Sequence, residues 1–317
     1  MYYKRKILLA LFDVFNSQLG KIDLQKLLFL FTREQSEPSF HFVPYKYGTF
    51  SFQANADLNT MIKYNQIDAT NKAWIKIDKK NYLKEIKNQD RITIINLFEK
   101  FKNYNTDDLI KYTYVNYPYY AIKSTIAEDK LSKVELEKVR SVIPKSNIKK
   151  LYTIGYEGLS SEEYFNRLIE LDVKVLCDVR NFPRSMKYGF SKNQLKNACE
   201  NLGIKYVHLP ELGIVSDKRK ELNTQLDYDM LFEEYNKTTL KSNLEDQQFI
   251  LNLLDKYKRV ALTCFEKNTH QCHRIPLAMS IKDLSTSKLS VQNIYWQLRK
   301  FLLLLKHIQL YQEDMMN

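Results

Sequence analysis

Beyond Lys150 the chain alternates short, nearly continuous apolar runs with amphipathic stretches, and that alternation leaves few folds open. The apolar runs are Leu151–Gly155, Val173–Asp178, Lys205–Leu209 and Val260–Phe265. Each is short enough to be a strand, and Val173–Asp178 is nearly all-apolar, as a strand with no wet face would be. Between them, Ser160-x-x-Glu163 reads as a capping box opening a helix through Leu171, and Ser191-x-x-Gln194 reads as a second, closed by Gly203. Further helical periodicity covers about residues 228–236 and 244–257. Strands buried on both faces and separated by helices predict an α/β fold, a mainly parallel sheet with helices on both faces. A last helix is expected from Ser290 to Leu310, apolar along one side.

The first 125 residues have a different texture. Ile7, Leu8, Leu11, Phe12 and Phe15 fall at helical spacing. So do Leu24, Leu27, Leu28 and Phe31, in a helix Asp23–Thr32 with Asp23 as its expected N-cap. Phe40–Ser51 reads as a β-like stretch turning at Gly48, with a helix starting at Ser51, and Trp74–Ile77 reads as another strand. Helices interleaved with strand fragments predict a winged-helix-like domain. The division expected is therefore 1–125 for that domain, 126–150 for a charged helical linker, 151–285 for the α/β domain and 286–317 for the terminal amphipathic helix.

Charge separates the two halves. Residues 1–150 hold 26 Lys and Arg against 16 Asp and Glu, whereas residues 151–317 hold 23 against 21. A basic first half is what a polyanion-binding domain needs, and it is equally what lysine-rich solvated faces produce. The tyrosines at 112, 114, 117, 119 and 120, interleaved with Lys111 and Lys123, carry the same pair of readings: a platform for unpaired bases, or ordinary packing. The four cysteines form no CxxC pair, which suits reduced thiols in the cytoplasm. Lys4-Arg5-Lys6 and the apolar run after it lack the cleavage site of a signal peptide, and no run is long enough to span a bilayer.

In an open parallel sheet, ligands bind beyond the carboxyl ends of the strands. The residues delivered there are Tyr156 after the first strand, Asp178, Arg180 and Ser185 after the second, Glu211 after the third, and Glu266 with Cys272, His273 and Arg274 after the fourth. Asp178 and Arg180 suit either a loop-fixing ion pair or a substrate contact. Arg180, Arg184 and Arg274 make a possible phosphate clamp, since guanidinium forks match phosphate oxygens and Arg274 opens a helix. Glu266 suits a general acid or base, a nucleophile, or an orienter of Arg180. Cys272 beside His273 at a helix start suits an activated thiolate, although neighbours on a helix do not face each other. A zinc site from Cys264, Cys272 and His273 lacks the usual spacing and a clear fourth ligand, so no metal is expected. GxxxxGK[ST], GxGxxG and HExxH are absent, and no cofactor is expected.

Two resemblances add to this. Thr153–Gly158, Asp178-Val179-Arg180 with Pro183 and Ser185, Phe190-Ser191, Tyr206, Leu212-Gly213, Cys264 with Glu266, and Cys272-His273-Arg274 follow one another as in domain-of-unknown-function family 488. The resemblance runs from about Leu151 to Met279. It implies the α/β fold and a site at these residues, while the family's chemistry is unsettled; many relatives carry His where Tyr156 stands. Asp23–Leu30 followed by Pro44–Ser51 resembles the Panacea (SocA-like) domain, which implies a place among antitoxins and phage-associated proteins.

The function expected is a nucleotide- or nucleic-acid-directed enzyme cleaving a glycosidic or phosphodiester bond. Asp178, Glu266, Cys272 and His273 would act in catalysis, and Tyr156, Arg180, Ser185, Glu211 and Arg274 would bind substrate. The N-terminal domain would recognise nucleic acid or a protein partner. The alternatives are a non-catalytic regulator sensing a phosphorylated ligand, and a sulfur-transfer enzyme using Cys272.

Overall fold

The computed structural model describes residues 1–219 and 222–294. The chain divides into two compact units, and it passes between them more than once. Met1–Ser146, Leu159–Asp172 and Arg184–Gly203 make the first; Asn147–Gly158, Val173–Pro183 and the chain from Ile204 onward make the second. The helices Ser161–Glu170 and Lys192–Asn201 therefore group with the N-terminal residues, not with the strands that precede them in sequence.

The first unit is built on helices Tyr3–Val14, Lys21–Glu34, Phe52–Lys63, Asn88–Phe101 and Thr106–Asn116. Strands β1 (Gln18–Gly20), β4 (Ile67–Ala69) and β5 (Ala73–Lys76) form an antiparallel sheet in the order β1-β5-β4. β2 (Val43–Tyr45) and β3 (Gly48–Phe50) form a hairpin turning through Gly48, whose φ of 86° favours glycine. The apolar faces read from the sequence meet in one core, where Leu8, Leu11, Phe12, Leu24, Leu27, Leu28 and Phe31 are all buried.

Local signals in this unit held unevenly. Ser51 caps its helix as expected, accepting from the Ala54 N–H at 3.2 Å. Asp23 does not cap: the helix begins at Lys21 behind Gly20, and Asp23 sits in its first turn, where a carboxylate complements the helix dipole. Ser160 and Glu163 form their capping box, but Ser191 donates its hydroxyl to the Ser185 carbonyl at 3.0 Å instead of closing one with Gln194. Of the tyrosine cluster, Tyr114 is buried, and Tyr117 and Tyr120 set their rings edge-on against Phe29 at 4.9 and 4.6 Å. Packing accounts for those three.

The second unit holds a five-stranded sheet of β6 (Lys150–Gly155), β7 (Val175–Asp178), β8 (Lys205–His208), β9 (Arg259–Cys264) and β10 (Ser290–Asn293). All neighbours are parallel, in the order β10-β6-β9-β7-β8, which puts β9 at the centre. Leu151, Val260 and Val175 stand side by side, and Cys177 stands beside Leu262. They share a core with Ile250, Leu251 and Leu254 of helix Leu244–Tyr257 and with Leu277, Ala278 and Ile281 of helix Arg274–Leu284. Burying each such aliphatic side chain contributes roughly 1.5–3 kcal/mol.

One element differs from expectation. Ser290–Asn293 is not the start of a helix but an edge strand running parallel to β6. Buried Leu289 packs in the core with Val291 against it, an alternation that fits a strand as well as a helix turn, and the open edge of β6 decides between them. Residues 295–310 of the expected helix lie outside the described residues. Among the described residues, no helix is long and apolar enough to cross a membrane.

Candidate functional site

The ionisable residues predicted to converge do gather at the carboxyl ends of the strands, but as two clusters. Side chains alternate along a strand. Cys177 and Leu262 face the core described above, so Asp178 projects from one face of the sheet and Cys264 from the other.

On the first face, Arg180 grips Asp178. Its Nε donates to Oδ1 at 2.7 Å, its Nη2 to Oδ2 at 2.5 Å and its backbone N–H to Oδ1 at 3.2 Å. The Tyr206 hydroxyl adds a fourth donor at 2.7 Å, and Arg180 Nη1 donates to the Tyr156 hydroxyl at 2.7 Å. Tyr156, Asp178 and Arg180 are all buried. Burial works against the guanidinium's charge, but the Asp178 carboxylate overrides it and holds the Arg180 pKa above its ordinary value. The ion pair read from the sequence is formed. The Arg180 carbonyl also accepts from or faces His208 Nε2 at 2.9 Å, tying the loop to β8.

On the second face the centre is Glu266, two residues past the end of β9. Its Oε1 is paired with Arg219 Nη1. Its Oε2 receives both thiols, Cys264 Sγ at 3.0 Å and Cys272 Sγ at 2.9 Å. Burial pushes the Glu266 carboxyl up, but the Arg219 charge and the two thiol hydrogen bonds outweigh it and bring the pKa down to about 2. The side chains of Glu266 and Arg219 keep 15 % and 25 % of their exposure, whereas Cys264, Cys272 and His273 are sealed. Solvent thus meets this cluster at the ion pair.

His273 joins the backbone just after β7 to the Glu266 cluster. Its Nε2 is 2.9 Å from the Val179 carbonyl, and its Nδ1 is 3.0 Å from Arg219 Nη2 and 3.7 Å from Cys264 Sγ. Asn268 shapes the return of the chain by capping the turn Thr269–Gln271, after which Cys272 is extended and His273 is the N-cap of helix Arg274–Leu284. Because the two residues precede the helix in different backbone conformations, the objection that helical neighbours cannot face one site does not apply to them.

The remaining predicted residues stand apart. Arg274 is buried, donates from Nη1 to the Glu266 carbonyl at 2.6 Å, and leaves its buried Nε without a partner. It holds a backbone; of the other two arginines read as a clamp, Arg180 is buried in the second unit and Arg184 is grouped with the first. Ser185 also belongs to the first unit, where its carbonyl and N–H meet the Ser191 hydroxyl at 3.0 and 3.2 Å. Glu211 is exposed on the turn Pro210–Leu212 after β8. Cys272 is buried, and burial foremost, with the neighbouring Cys264 and Glu266, raises its pKa well above that of a free thiol. An activated thiolate needs the opposite.

Sequence reasoning missed Arg219 and gave Cys264 only a marginal part. Arg219 lies in a short turn, Ser216–Arg219, with no motif around it. Gly155 ends its apolar run with no local signal of its role. A Cβ there would fall 2.0 Å from the Glu266 carbonyl oxygen, so glycine is what lets the end of β6 pass against the Phe265–Glu266 backbone.

Residues 160–281 match the model of a domain of unknown function, DUF488. The match contains β7, β8 and β9 and every residue of the Glu266 cluster. No curated protein and no solved structure matches the chain.

Proposed function

We propose that the second unit is a hydrolase or transferase acting on nucleotides or nucleic acid, cleaving a glycosidic or phosphodiester bond, with Glu266 as its reacting carboxylate. The observation that carries this reading is the placement of Glu266. It follows the central strand of a parallel sheet, where ligands of such sheets bind, and it is the carboxylate of its cluster that solvent reaches. Paired with Arg219, it enters a reaction as a base or nucleophile and not as an acid. Arg219, whose side chain keeps 25 % of its exposure, is the cation available to an anionic substrate group. Asp178, Arg180 and Arg274 then act by fixing the two strand ends around the site. The first unit, which contains most of the basic half of the chain, supplies recognition of nucleic acid or of a protein partner, a division of labour that would suit bacterial defence.

The test is turnover by the full chain on a panel of nucleosides, nucleotides and single- and double-stranded oligonucleotides. Activity on one member, lost by about 100-fold or more in a folded Glu266→Gln variant, supports the reading. Equal activity in that variant removes Glu266 from the reaction. A second reading, a ligand-sensing regulator without turnover, draws on the closed Asp178–Arg180 pair. It predicts binding of a nucleotide with no product.

A further inference from the structure

We propose that Cys264, Cys272 and His273 bind one divalent transition-metal ion of the zinc class, with Glu266 standing beside the fourth position. A ligand atom from each of the three residues lies within 4.8 Å of those of the others, and all three residues are buried. Two thiolates and an imidazole are the donors that select a borderline-soft ion over magnesium or calcium.

The histidine is oriented for the task by two independent contacts. The Val179 carbonyl can only accept, so the ring carries its proton on Nε2. A guanidinium can only donate, so the Arg219 contact likewise requires a lone pair on Nδ1. Nδ1 is the nitrogen on the side of the Cys264 sulfur. An imidazole held at one nitrogen by a backbone carbonyl, with its lone pair on the other, is the usual arrangement of a histidine metal ligand; an ion bound here displaces the Arg219 N–H from that lone pair.

The thiols point the same way. Both donate to one oxygen, Glu266 Oε2, so both S–H bonds converge on a common point. An ion that replaces the two protons lies between the sulfurs and short of Oε2, and loading releases those two protons to solvent. Charge also balances in the buried site. Two thiolates cancel a dication, and Glu266 cancels Arg219. Three protein ligands with a fourth position on the solvent side is the open type of zinc site, in which a bound water becomes acidic. Glu266 is placed to accept that water's proton. To this extent the inference deepens the reading of Glu266 given above, but the two fail separately, because metal binding is read without any turnover.

The experiment is zinc titration of the full, tag-free chain, reduced and chelator-stripped, against a chromophoric competitor. One equivalent bound by the wild-type chain and by Glu266→Gln supports the site, with affinity reduced by more than about 100-fold in Cys264→Ser and Cys272→Ser, beyond what outer-shell changes cost. Cys199→Ser, elsewhere in the chain, keeps full affinity. The cobalt-loaded wild-type chain supplies a readout that needs no variant: a thiolate-to-cobalt charge-transfer band with tetrahedral ligand-field bands. Absence of stoichiometric binding, or a cobalt spectrum without thiolate character, overturns the site. Loss of the metal from Glu266→Gln overturns the three-ligand assignment.

Discussion

Arg180 holds the Asp178 carboxylate in a two-pronged fork, Nε to Oδ1 at 2.7 Å and Nη2 to Oδ2 at 2.5 Å, with neither residue open to solvent. Removing one partner strands the other charge inside the protein. Asp178→Ala is therefore expected to cost about 3–5 kcal/mol in urea unfolding. A double variant with apolar replacements of similar volume, Asp178→Leu with Arg180→Met, should recover most of that loss. A single-variant cost near the roughly 1 kcal/mol of a surface pair would mean the fork is not a buried anchor.

Lys26 makes a pH-dependent prediction in the first unit. Its ammonium is buried, bonding the Tyr47 carbonyl and, at 3.3 Å, the Thr49 hydroxyl, and burial brings its pKa down to about 7. The unfolded chain, with an ordinary lysine, holds more protons between pH 7 and about 10.4, so this group's contribution to stability rises with pH across that window. Its full span is on the order of 4 kcal/mol. Lys26→Met should be relatively most stable at pH 6 and lose that advantage towards pH 10, read as unfolding midpoints. A parallel pH profile in both proteins would show that the lysine is solvated.

Thiol reactivity separates the sulfur-transfer reading from the others. All four cysteines are reduced and buried, and burial pushes the Cys177 thiol to about 12 and the Cys272 thiol well above its usual value. Chelator-treated native protein should alkylate slowly at all four positions at neutral pH, and quickly once unfolded. Rapid, selective labelling of Cys272 would restore the thiolate reading.

Gly155→Ala tests the close approach behind Glu266. The added methyl meets a backbone carbonyl at 2.0 Å, not a side chain that swings aside. The expected cost is about 1–3 kcal/mol in stability, together with weakened function at Glu266 in excess of that loss. An unchanged melting point and unchanged activity would mean the backbone yields freely there.

Much of this was legible in the residues. The apolar runs gave β6, β7 and β9 because strands buried on both faces leave no polar alternation to confuse with anything else. Asp178 and Arg180 lie two apart, the spacing that returns side chains to one face of an extended chain, so their pairing was one of the readings available. What escaped depends on how the chain turns back in space. Arg219 reaches Glu266 from 47 residues away through an irregular turn that has no periodicity to detect. The objection to Cys272 with His273 assumed both were helical, and it fails because the helix starts one residue later. Four residues at 290–293 matched strand and helix alike, and the free edge of β6 chose the strand.

On this reading ligands act at the Glu266–Arg219 end of β9. A crystal structure of the full chain with a bound nucleoside 5′-monophosphate tests it most directly. The nucleotide is expected at that end, with a polar group of the ligand in hydrogen-bond reach of Arg219 Nη2 or Glu266. A nucleotide bound in the first unit instead, such as in the cavity of about 530 Å³ lined by Lys26, Tyr45 and Phe50, with the β9 end untouched, would contradict it.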